Sequence, residues 1–439
     1  MPGGIRFASL REWLEWQQGL HPHAIELGLG RVSRVLARTG WRPPVQPVVT
    51  VGGTNGKGSC VALLEAMARA GGHRVATFTS PHLVDYRERI RVDGCMVAEA
   101  SLVAAFERIA DALGRDSLTF FEFNTLAALL VFETAVPDLV VLEVGMGGRL
   151  DAVNVVEADV AVVTSIGLDH LEWLGPDEES IAREKAGIFR KARPAICGAL
   201  PVPASLVAHA REIGARLLIR GRDFDGVERA DRRWDYRDVA GALQGLPAPA
   251  LAGSSQVANA AIATAALRTL ADRLPVDRAA IELGLSTVRL PGRFERIAGV
   301  ADVEWVLDVA HNPAAARVLA ENLARYPARG RTIAVCGMLA DKDVAAVVAQ
   351  LGGRVDRWIA AGTDGPRSLS DAALVDRARA AGVVMARGGT VATAIERAAR
   401  EASSGDRVLV FGSFLTVGPA LAHLQPGASG PGASQARCV

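Results

Sequence analysis

The sequence predicts an α/β protein of two domains, each organised around a mostly parallel sheet, and three observations support this prediction. The chain has 439 residues, which is more than one hydrophobic core usually organises. Half of the residues are apolar and 22% are charged, which is typical of globular proteins. Short, continuous apolar runs alternate with helical patterns, as expected for βαβ units whose strands are buried on both faces.

Four apolar runs in the first part of the chain predict buried strands: Val48–Val51, Val75–Thr79, Leu139–Val144 and Val160–Ile166. Helical patterns lie between them at Ser59–Ala70 and Leu126–Thr134, and another follows at Val257–Leu270. The Pro-rich and Ala-rich stretch Gly245–Ser255 predicts a loop.

A second βα series begins after the Pro-Gly pair at 291–292, with predicted strands at Val303–Val309, Thr332–Cys336, Arg357–Ala361 and Arg407–Phe411. We therefore predict one domain over 1–296 and a smaller one over 297–424. Residues 425–439 are rich in Pro, Gly, Ser and Ala, which predicts a disordered tail.

Charge and cysteine usage fit a protein of the reducing cytosol and do not favour a nucleic-acid-binding or membrane protein. The net charge of +1 creates no global field for polyanions. Five dispersed cysteines argue against a disulfide scaffold and against a structural zinc site. The first 20 residues lack the apolar core of a signal peptide, and no stretch reaches the roughly 18 apolar residues of a membrane span.

A glycine-rich segment, Gly52–Ser59, follows the first predicted strand and opens a helix, which is the context of a phosphate-binding loop. Glycines let backbone N–H groups converge on phosphate oxygens, and Lys57 adds a positive charge. Gly58 separates Lys57 from Ser59, so the segment departs from the usual Walker A pattern, and a plain glycine-rich turn is the alternative. The Asn-Lys-x-Asp motif of GTPases is absent.

Polar clusters end three further predicted strands, at Thr79–His82, Glu143–Asp151 and Thr164–His170. Ligands bind at the carboxyl ends of strands in open α/β sheets. A carboxylate such as Glu143 at a buried strand end needs a partner, which a phosphate-bound Mg²⁺ would provide. Pairing of Glu143 with Arg149 or another base is the alternative, and His170 taken alone fits a hydrogen-bonded core histidine better than a metal ligand.

Together these segments resemble the Mur ligase superfamily, and within it the dihydrofolate synthase/folylpolyglutamate synthase family. The resemblance runs in family order over nearly the whole chain, through the segments 53–59, 80–83, 88–94, 143–152, 168–170, 184–188, 290–295, 308–313 and 411–413. It implies a P-loop-type N-terminal domain that binds ATP and pterin, and a smaller Rossmann-like, glutamate-ligase-like C-terminal domain, with the active site between them.

The resemblance also implies residue roles. ATP would be held by Thr54, Asn55, Gly56, Lys57, Gly58, Ser59, Asn259, Arg293 and Asp308, and Mg²⁺ by Ser80, Glu143 and His170. The implied catalytic residues are Lys57, Lys185 and His311, and Lys185 matches a family lysine that becomes carbamylated. The residues 183–189, taken without the resemblance, would be a solvated helix end.

Three segments resemble the family's pterin-binding residues: Ala24, Ile25, Glu26 and Leu27; Thr119, Phe120, Phe121 and Glu122; and Leu150, Asp151 and Ala152. Aromatic rings can stack on a pterin, and a carboxylate can accept hydrogen bonds from its N–H groups. Core packing is the alternative for Phe120, Phe121 and Phe123. The chain departs from the family at Val153, where a Thr is frequent, and at Cys60 in the phosphate loop.

The implied reaction joins L-glutamate to 7,8-dihydropteroate, and to reduced folates, through an acyl phosphate formed with Mg²⁺ and ATP. We expect a monomer. Three alternatives stay open: only one of the two folate activities, a cell-wall ligase of the same superfamily, and a nucleotide-dependent switch without ligase turnover.

Overall fold

The structure is a computed structural model that describes residues 5–365 and 367–425. The chain forms two compact units. One comprises the residues up to Ser80 together with Arg87–Pro249 and Val257–Val288, and the other comprises Pro81–Tyr86, Ala250–Gln256 and the residues from Arg289 onward. Apart from Gln425, the predicted disordered tail lies outside the described residues.

The first unit contains helices that flank the strands of a large sheet. Its helices are α1 Leu10–Gly19, α2 Gly30–Arg38, α3 Lys57–Ala70, α4 Glu99–Ala112, α5 Phe120–Ala135, α6 Leu171–Leu174, α7 Glu178–Ala186, α8 Ala204–Ile213, α9 Gln256–Thr269 and α10 Arg278–Thr287. Its strands are β1 Val48–Gly52, β2 Val75–Phe78, β3 Ile90–Val92, β4 Cys95–Met96, β5 Leu139–Glu143, β6 Val160–Val163, β7 Pro194–Cys197, β8 Arg216–Ile219, β9 Phe224–Glu228, β10 Trp234–Asp238 and β11 Gly241–Leu246.

Eight of these strands form one sheet in the order β4-β3-β2-β5-β1-β6-β7-β8. The neighbouring strands β2, β5, β1, β6, β7 and β8 run parallel to one another. Strands β3 and β4 form an antiparallel edge beside β2. The four central strands β2, β5, β1 and β6 are buried at every residue, which explains their continuous apolar runs. The predicted parallel sheet is confirmed.

Two predicted boundaries differ from the observed ones for identifiable reasons. The strand predicted to reach Ile166 ends at Val163, because Thr164 and Ser165 leave the ladder to bond the glycine-rich loop. The helix predicted from Leu126 already starts at Phe120. Thr119 and Glu122 form a capping box there, which stabilises a first turn that carries the aromatic stretch.

The remaining strands of the first unit form a small antiparallel sheet in the order β11-β10-β9, which the sequence analysis did not predict. Cys60, Cys197 and Cys336 are buried free thiols. Cys95 is disulfide-bonded, a bond that the sequence analysis did not predict. Among the helices in the described part of the chain, none combines the length and apolarity that a bilayer span requires.

The second unit is a smaller α/β layer structure. Its strands are β12 Glu295–Ala298, β13 Glu304–Asp308, β14 Thr332–Cys336, β15 Arg357–Gly362, β16 Ala386–Thr390 and β17 Arg407–Phe411, and its helices are α11 Pro313–Arg325, α12 Val344–Leu351, α13 Asp371–Ala378, α14 Val391–Glu401 and α15 Phe414–Leu424.

The second sheet has the order β12-β13-β17-β14-β15-β16, and only β12 is antiparallel to its neighbour. Helices cover both faces of this sheet. Their apolar residues form one hydrophobic cluster with each face. The predicted division at residue 297 falls within β12.

Candidate functional site

Four loops of the first unit meet at one edge of the large sheet. The strands β2, β5, β1 and β6 are adjacent and parallel, so the segments that follow them leave from the same edge. These segments begin with Thr79, Val144, Gly53 and Thr164. The fold therefore brings together the four clusters that the sequence placed at separate strand ends.

The glycine-rich loop between β1 and α3 has a backbone that only glycine allows at two positions. Gly53 has a φ of +142°, and a Cβ there would lie 2.0 Å from the Thr164 hydroxyl. Gly56 has a φ of +87°, and a Cβ there would lie 2.7 Å from Oδ1 of Asn259. The glycines are thus required by close approach as well as by conformation, which disfavours the alternative of a plain turn.

The loop that follows β6 holds the glycine-rich loop in place. The Thr54 amide donates to the Ser165 carbonyl at 2.9 Å, and the Asn55 amide donates to the Ser165 hydroxyl at 2.9 Å. The Thr164 hydroxyl donates to the Asn55 carbonyl at 2.7 Å. These bonds preorganise the loop before any phosphate binds, so that less ordering is needed on binding.

Lys57 begins α3, and its ammonium group curls back over the glycine-rich loop. Its Nζ donates to the carbonyl of Gly53 at 3.0 Å and to that of Thr54 at 3.3 Å. Gly58 and Ser59 follow on the first turn of α3, where backbone N–H groups lack intrahelical partners. The ammonium, this helix N-terminus and the loop amides form a cradle for an anion.

Glu143 is the last residue of β5 and is 4% exposed. Its Oε2 accepts the Ser80 amide at 3.1 Å, so the structure brings together two of the three predicted metal ligands. The Arg149 guanidinium bonds Glu184 instead, so the alternative pairing of Glu143 with Arg149 is not what the structure contains.

His170 follows β6 at the same edge of the sheet. It has a φ of +54° and precedes α6, and its side chain is 32% exposed, so it is not a core histidine. The donor set therefore offers hard oxygens from Glu143 and Ser80 and one imidazole. These residues fit a divalent cation such as Mg²⁺ or Mn²⁺.

Lys185 is a buried lysine, 4% exposed, near the end of α7. Burial, together with repulsion from Lys57, lowers its pKa to about 7, against the attraction of Asp169 and Asp151. Burial also raises the pKa of Asp151 to about 7, against hydrogen bonds from Met146 and Val153. Lys57, Asp151 and Lys185 thus share one electrostatic environment, in which a neutral amine is accessible near pH 7.

The three predicted pterin segments converge in the first unit. The Gly28 amide, next to Leu27, donates to the Leu150 carbonyl at 3.2 Å. The ring of Phe121 covers Gly145, where a Cβ would lie 2.6 Å from the ring. Phe120 lies under Arg89, whose guanidinium carbon is 5.5 Å from the ring centre.

Phe123, in contrast, is fully buried against Trp16 and Phe106, so for this residue the core alternative is right. Phe120 and Phe121 keep partly exposed rings and can contact a ligand.

The sequence analysis expected Glu122 to offer an open carboxylate to a ligand. The structure does not show this. Oε2 of Glu122 accepts the Thr119 amide at 2.8 Å and Nε of Arg31 at 2.9 Å. Its Oε1 lies 2.8 Å from Nη2 of Arg31 as an ion pair without hydrogen-bond geometry. Arg31 also contacts the Glu26 carboxylate and carbonyl. Arg31 therefore ties two predicted pterin segments together.

The second unit places Arg293, Asp308 and His311 near one another. Asp308 accepts the Phe294 and Ala310 amides, each at 2.8 Å, and burial raises its pKa while attraction to Arg293 lowers it. The Arg293 guanidinium carbon lies 5.2 Å from the ring centre of Phe414. Nδ1 of His311 lies 2.8 Å from the Val309 carbonyl, which accepts its N–H.

Sequence reasoning assigned no role to several residues that shape these sites. Thr164 and Ser165 hold the glycine-rich loop, Arg31 links Glu26 to Glu122, and Asp169 faces Lys185. For Asp169 the Leu-Asp-His motif was a usable signal. For Arg31 the only local signal was its position five residues after Glu26, because Glu122 is 91 residues away.

Two protein-family models match this chain. The family model described as "Mur ligase middle domain" matches residues 51–218, and that described as "Mur ligase, glutamate ligase domain" matches residues 292–414. The dihydrofolate synthase/folylpolyglutamate synthase of Escherichia coli K12 is 45% identical over 413 residues, which cover 93% of this chain and 94% of that protein.

Two solved structures resemble the fold closely. E. coli FolC in complex with DHPP and ADP has a TM-score of 0.90 and 44% identity, and the match covers 95% of this chain and 98% of that chain. A bifunctional folylpolyglutamate synthase/dihydrofolate synthase with Mn, AMPPNP and L-glutamate bound has a TM-score of 0.88 and 42% identity, with 96% and 100% covered.

Proposed function

This chain belongs to the dihydrofolate synthase/folylpolyglutamate synthase family of Mur ligases, and on that basis we propose how its residues carry out the reaction. It is an ATP-dependent ligase that adds L-glutamate to 7,8-dihydropteroate and to reduced folates. The single observation that carries the assignment is the convergence of the glycine-rich loop, Glu143 and Lys185 at one sheet edge that also carries the pterin segments.

ATP binds with its β- and γ-phosphates in the cradle formed by the residues from Thr54 to Ser59. Lys57 turns from its loop carbonyls towards the phosphate oxygens. Asn259 is buried, and its side-chain oxygen would touch a Cβ at Gly56, so it closes the loop from the side of α9. The loop amides and the ammonium together offset phosphate charge.

Ser80, Glu143 and His170 would hold the divalent cation, which neutralises phosphate charge when it is bound. The carboxylate of Glu143 is oriented by the Ser80 amide, which donates to its Oε2. The relatives with Mn and AMPPNP support a nucleotide-linked metal in this family.

The reaction proceeds through an acyl phosphate. The substrate carboxylate attacks the γ-phosphorus in line, ADP leaves, and the α-amine of L-glutamate attacks the acyl carbon to expel phosphate. The loop and Lys57 hold the phosphoryl group in position, which lowers the barrier by orientation and charge stabilisation rather than by a strong base. Water must be excluded from the acyl phosphate, which would otherwise hydrolyse.

Lys185 is proposed to react with CO₂ to form a carbamate, which converts a buried cation into a carboxylate at the metal site. Carbamylation requires the neutral amine, and burial together with Lys57 lowers the pKa of Lys185 to about 7. Asp169 and Asp151 are the nearby acidic groups that balance the charge of the site.

Pterin recognition is assigned to the pocket lined by Ala24–Leu27, Thr119–Glu122 and Leu150–Ala152. Asp151 accepts hydrogen bonds from a pterin amino group, and the partly exposed rings of Phe120 and Phe121 provide stacking faces. Arg293, Asp308 and His311 of the second unit are proposed to contact ATP and glutamate, with the domain division near residue 297.

We also propose that the enzyme acts as a cytoplasmic monomer.

The function is tested by ADP release with MgATP and L-glutamate, measured with dihydropteroate, with tetrahydrofolate and with neither. We expect release with each pteridine substrate and little without one. Activity with a single pteridine would reduce the assignment to one of the two steps. Release of ADP by nucleotide alone, unaffected by pteridine and glutamate, would instead indicate a nucleotide switch.

Glu122→Gln should raise the KM for dihydropteroate about tenfold and change kcat little. The substitution keeps the shape but removes the charge that orients Arg31, and one charge-assisted hydrogen bond is worth about 1.5–3 kcal/mol. Glu133→Gln is the matched control, because Glu133 lies on the same helix and pairs with Arg108 away from the pocket. Equal KM values for both variants and the wild type would contradict a role for Glu122 in shaping the pocket.

A further inference from the structure

A cluster of two histidines and one carboxylate lies in the segment between α1 and α2, outside the nucleotide site. Nε2 of His21 lies 3.4 Å from Oε2 of Glu26, and Nδ1 of His23 lies 3.4 Å from the same oxygen. All three potential ligand atoms lie within 4.8 Å of one another. The side chain of His21 is only 7% exposed, so its imidazole is held by packing.

These separations fit a tetrahedral metal ion. Zn²⁺ binds His nitrogen and carboxylate oxygen at about 2.0–2.1 Å, which places two ligands of a tetrahedron about 3.3–3.4 Å apart. Both histidine nitrogens lie at this separation from the Glu26 oxygen, and His23 is exposed enough to rotate until all three atoms reach one ion. The cluster thus needs one side-chain adjustment rather than backbone movement.

His21 can adopt the tautomer that a metal requires. Its Nδ1 accepts the His23 amide N–H at 3.2 Å and also lies 3.1 Å from the His23 carbonyl. Metal binding through Nε2 requires the tautomer in which Nδ1 is protonated and donates to that carbonyl in place of the bond from the amide, and the Nε2 lone pair then faces Glu26. A backbone carbonyl that accepts the second N–H of a histidine is the usual outer partner of a metal ligand.

The surrounding charges do not prevent cation binding. Glu26 contacts Arg31, but Arg31 is also neutralised by Glu122. Arg34 is paired with Asp116. The cluster opens onto a cavity of about 450 Å³ that His21, Glu26 and Arg31 help to line, which gives the ion an entry path and leaves room for a water ligand.

We propose that His21, His23 and Glu26 form a binding site for Zn²⁺ or a chemically similar transition-metal ion, with water in the fourth position. Two imidazoles and one carboxylate favour Zn²⁺ or Co²⁺ over Mg²⁺. The site therefore has a different donor set from that of Ser80, Glu143 and His170, which contains one imidazole and two oxygen donors.

One consequence rests on the proposed function. Arg31 and the metal ion share the Glu26 carboxylate, and Arg31 positions the segment assigned to pterin binding. Occupancy by Zn²⁺ should therefore weaken the Arg31 contact and raise the KM for dihydropteroate.

The site is tested by titrating the full chain with Co²⁺ in the presence of saturating Mg²⁺ and AMPPNP, which occupy the nucleotide site. We expect the visible bands of tetrahedral Co²⁺, their loss on addition of Zn²⁺, and an affinity about tenfold or more lower in His23→Ala. His209→Ala is the matched control, because His209 has one carboxylate neighbour, Glu212, at 3.7 Å and belongs to no such cluster in the described part of the chain. Identical titrations of the wild type, His23→Ala and His209→Ala would overturn the proposal.

The link to the pocket has its own readout. Zn²⁺ should raise the KM for dihydropteroate in the wild type more than in His23→Ala, whose activity without Zn²⁺ should match the wild type. Equal shifts in both proteins would overturn the link. Because metal binding is measured without turnover, an inactive chain would contradict the proposed function and leave the binding result intact.

Discussion

Lys57→Ala should lower kcat/KM for ATP-dependent ligation by about 10²- to 10³-fold, as expected for loss of one preorganised charge on the transferred phosphoryl group. In the structure the ammonium group spans the loop by bonding the Gly53 and Thr54 carbonyls. The substitution removes these two hydrogen bonds, so the stability cost should be about 1 kcal/mol. The measurement is steady-state ADP release with ATP and dihydropteroate varied in turn.

The control for Lys57 is Lys191→Ala, which removes an exposed lysine of the same unit. Thermal unfolding of both variants separates loss of chemistry from loss of fold. If Lys57→Ala kept the kcat and the ATP KM of the wild type, the glycine-rich loop would not be the phosphate site.

Lys185→Ala should lose about 10²-fold or more in kcat, and acetate or formate should restore part of that activity. The truncated side chain leaves a cavity beside Asp169 in which a small carboxylate can replace the carbamate oxygens. Losses of this size are typical when an oriented electrostatic group is removed from a phosphoryl-transfer site. Lys57→Ala provides the internal control, because a carboxylate cannot replace an ammonium group and should give no recovery.

The carbamate also predicts a pH dependence with a definite sign. Only the neutral amine reacts with CO₂, and the pKa of Lys185 is lowered to about 7 from 10.5. The neutral fraction, and with it activity in bicarbonate buffer, should rise as the pH increases through about 7. Full activity of Lys185→Ala without added acid, or no bicarbonate dependence in the wild type, would remove this role.

The proximity of Lys57, Asp151 and Lys185 links the phosphate and pterin parts of the first unit. Asp151 attracts both lysines, whereas the lysines repel one another. Binding of an anionic nucleotide would relieve that repulsion. The charges of the site therefore couple nucleotide binding to the protonation of Lys185.

Much of the fold and of the phosphate site could be predicted from the sequence alone. Continuous apolar runs identified the buried strands, since a strand covered on both faces has no polar side. The glycines at 53 and 56, followed by Lys57, predicted the anion-binding loop. In the structure both glycines have positive φ angles, which residues with a side chain rarely adopt. Such signals are local, because a few neighbouring residues determine both backbone conformation and strand burial.

Only the tertiary structure decided how residues distant in the chain act on one another. Thr164 and Ser165 end a strand early because they bond a loop more than 100 residues away, and Arg31 engages Glu122 rather than leaving that carboxylate for a ligand. Packing also divided the aromatic stretch into a core Phe123 and the more accessible Phe120 and Phe121. The neutral amine of Lys185 depends on burial and on Lys57, and desolvation arises only when separate segments pack together.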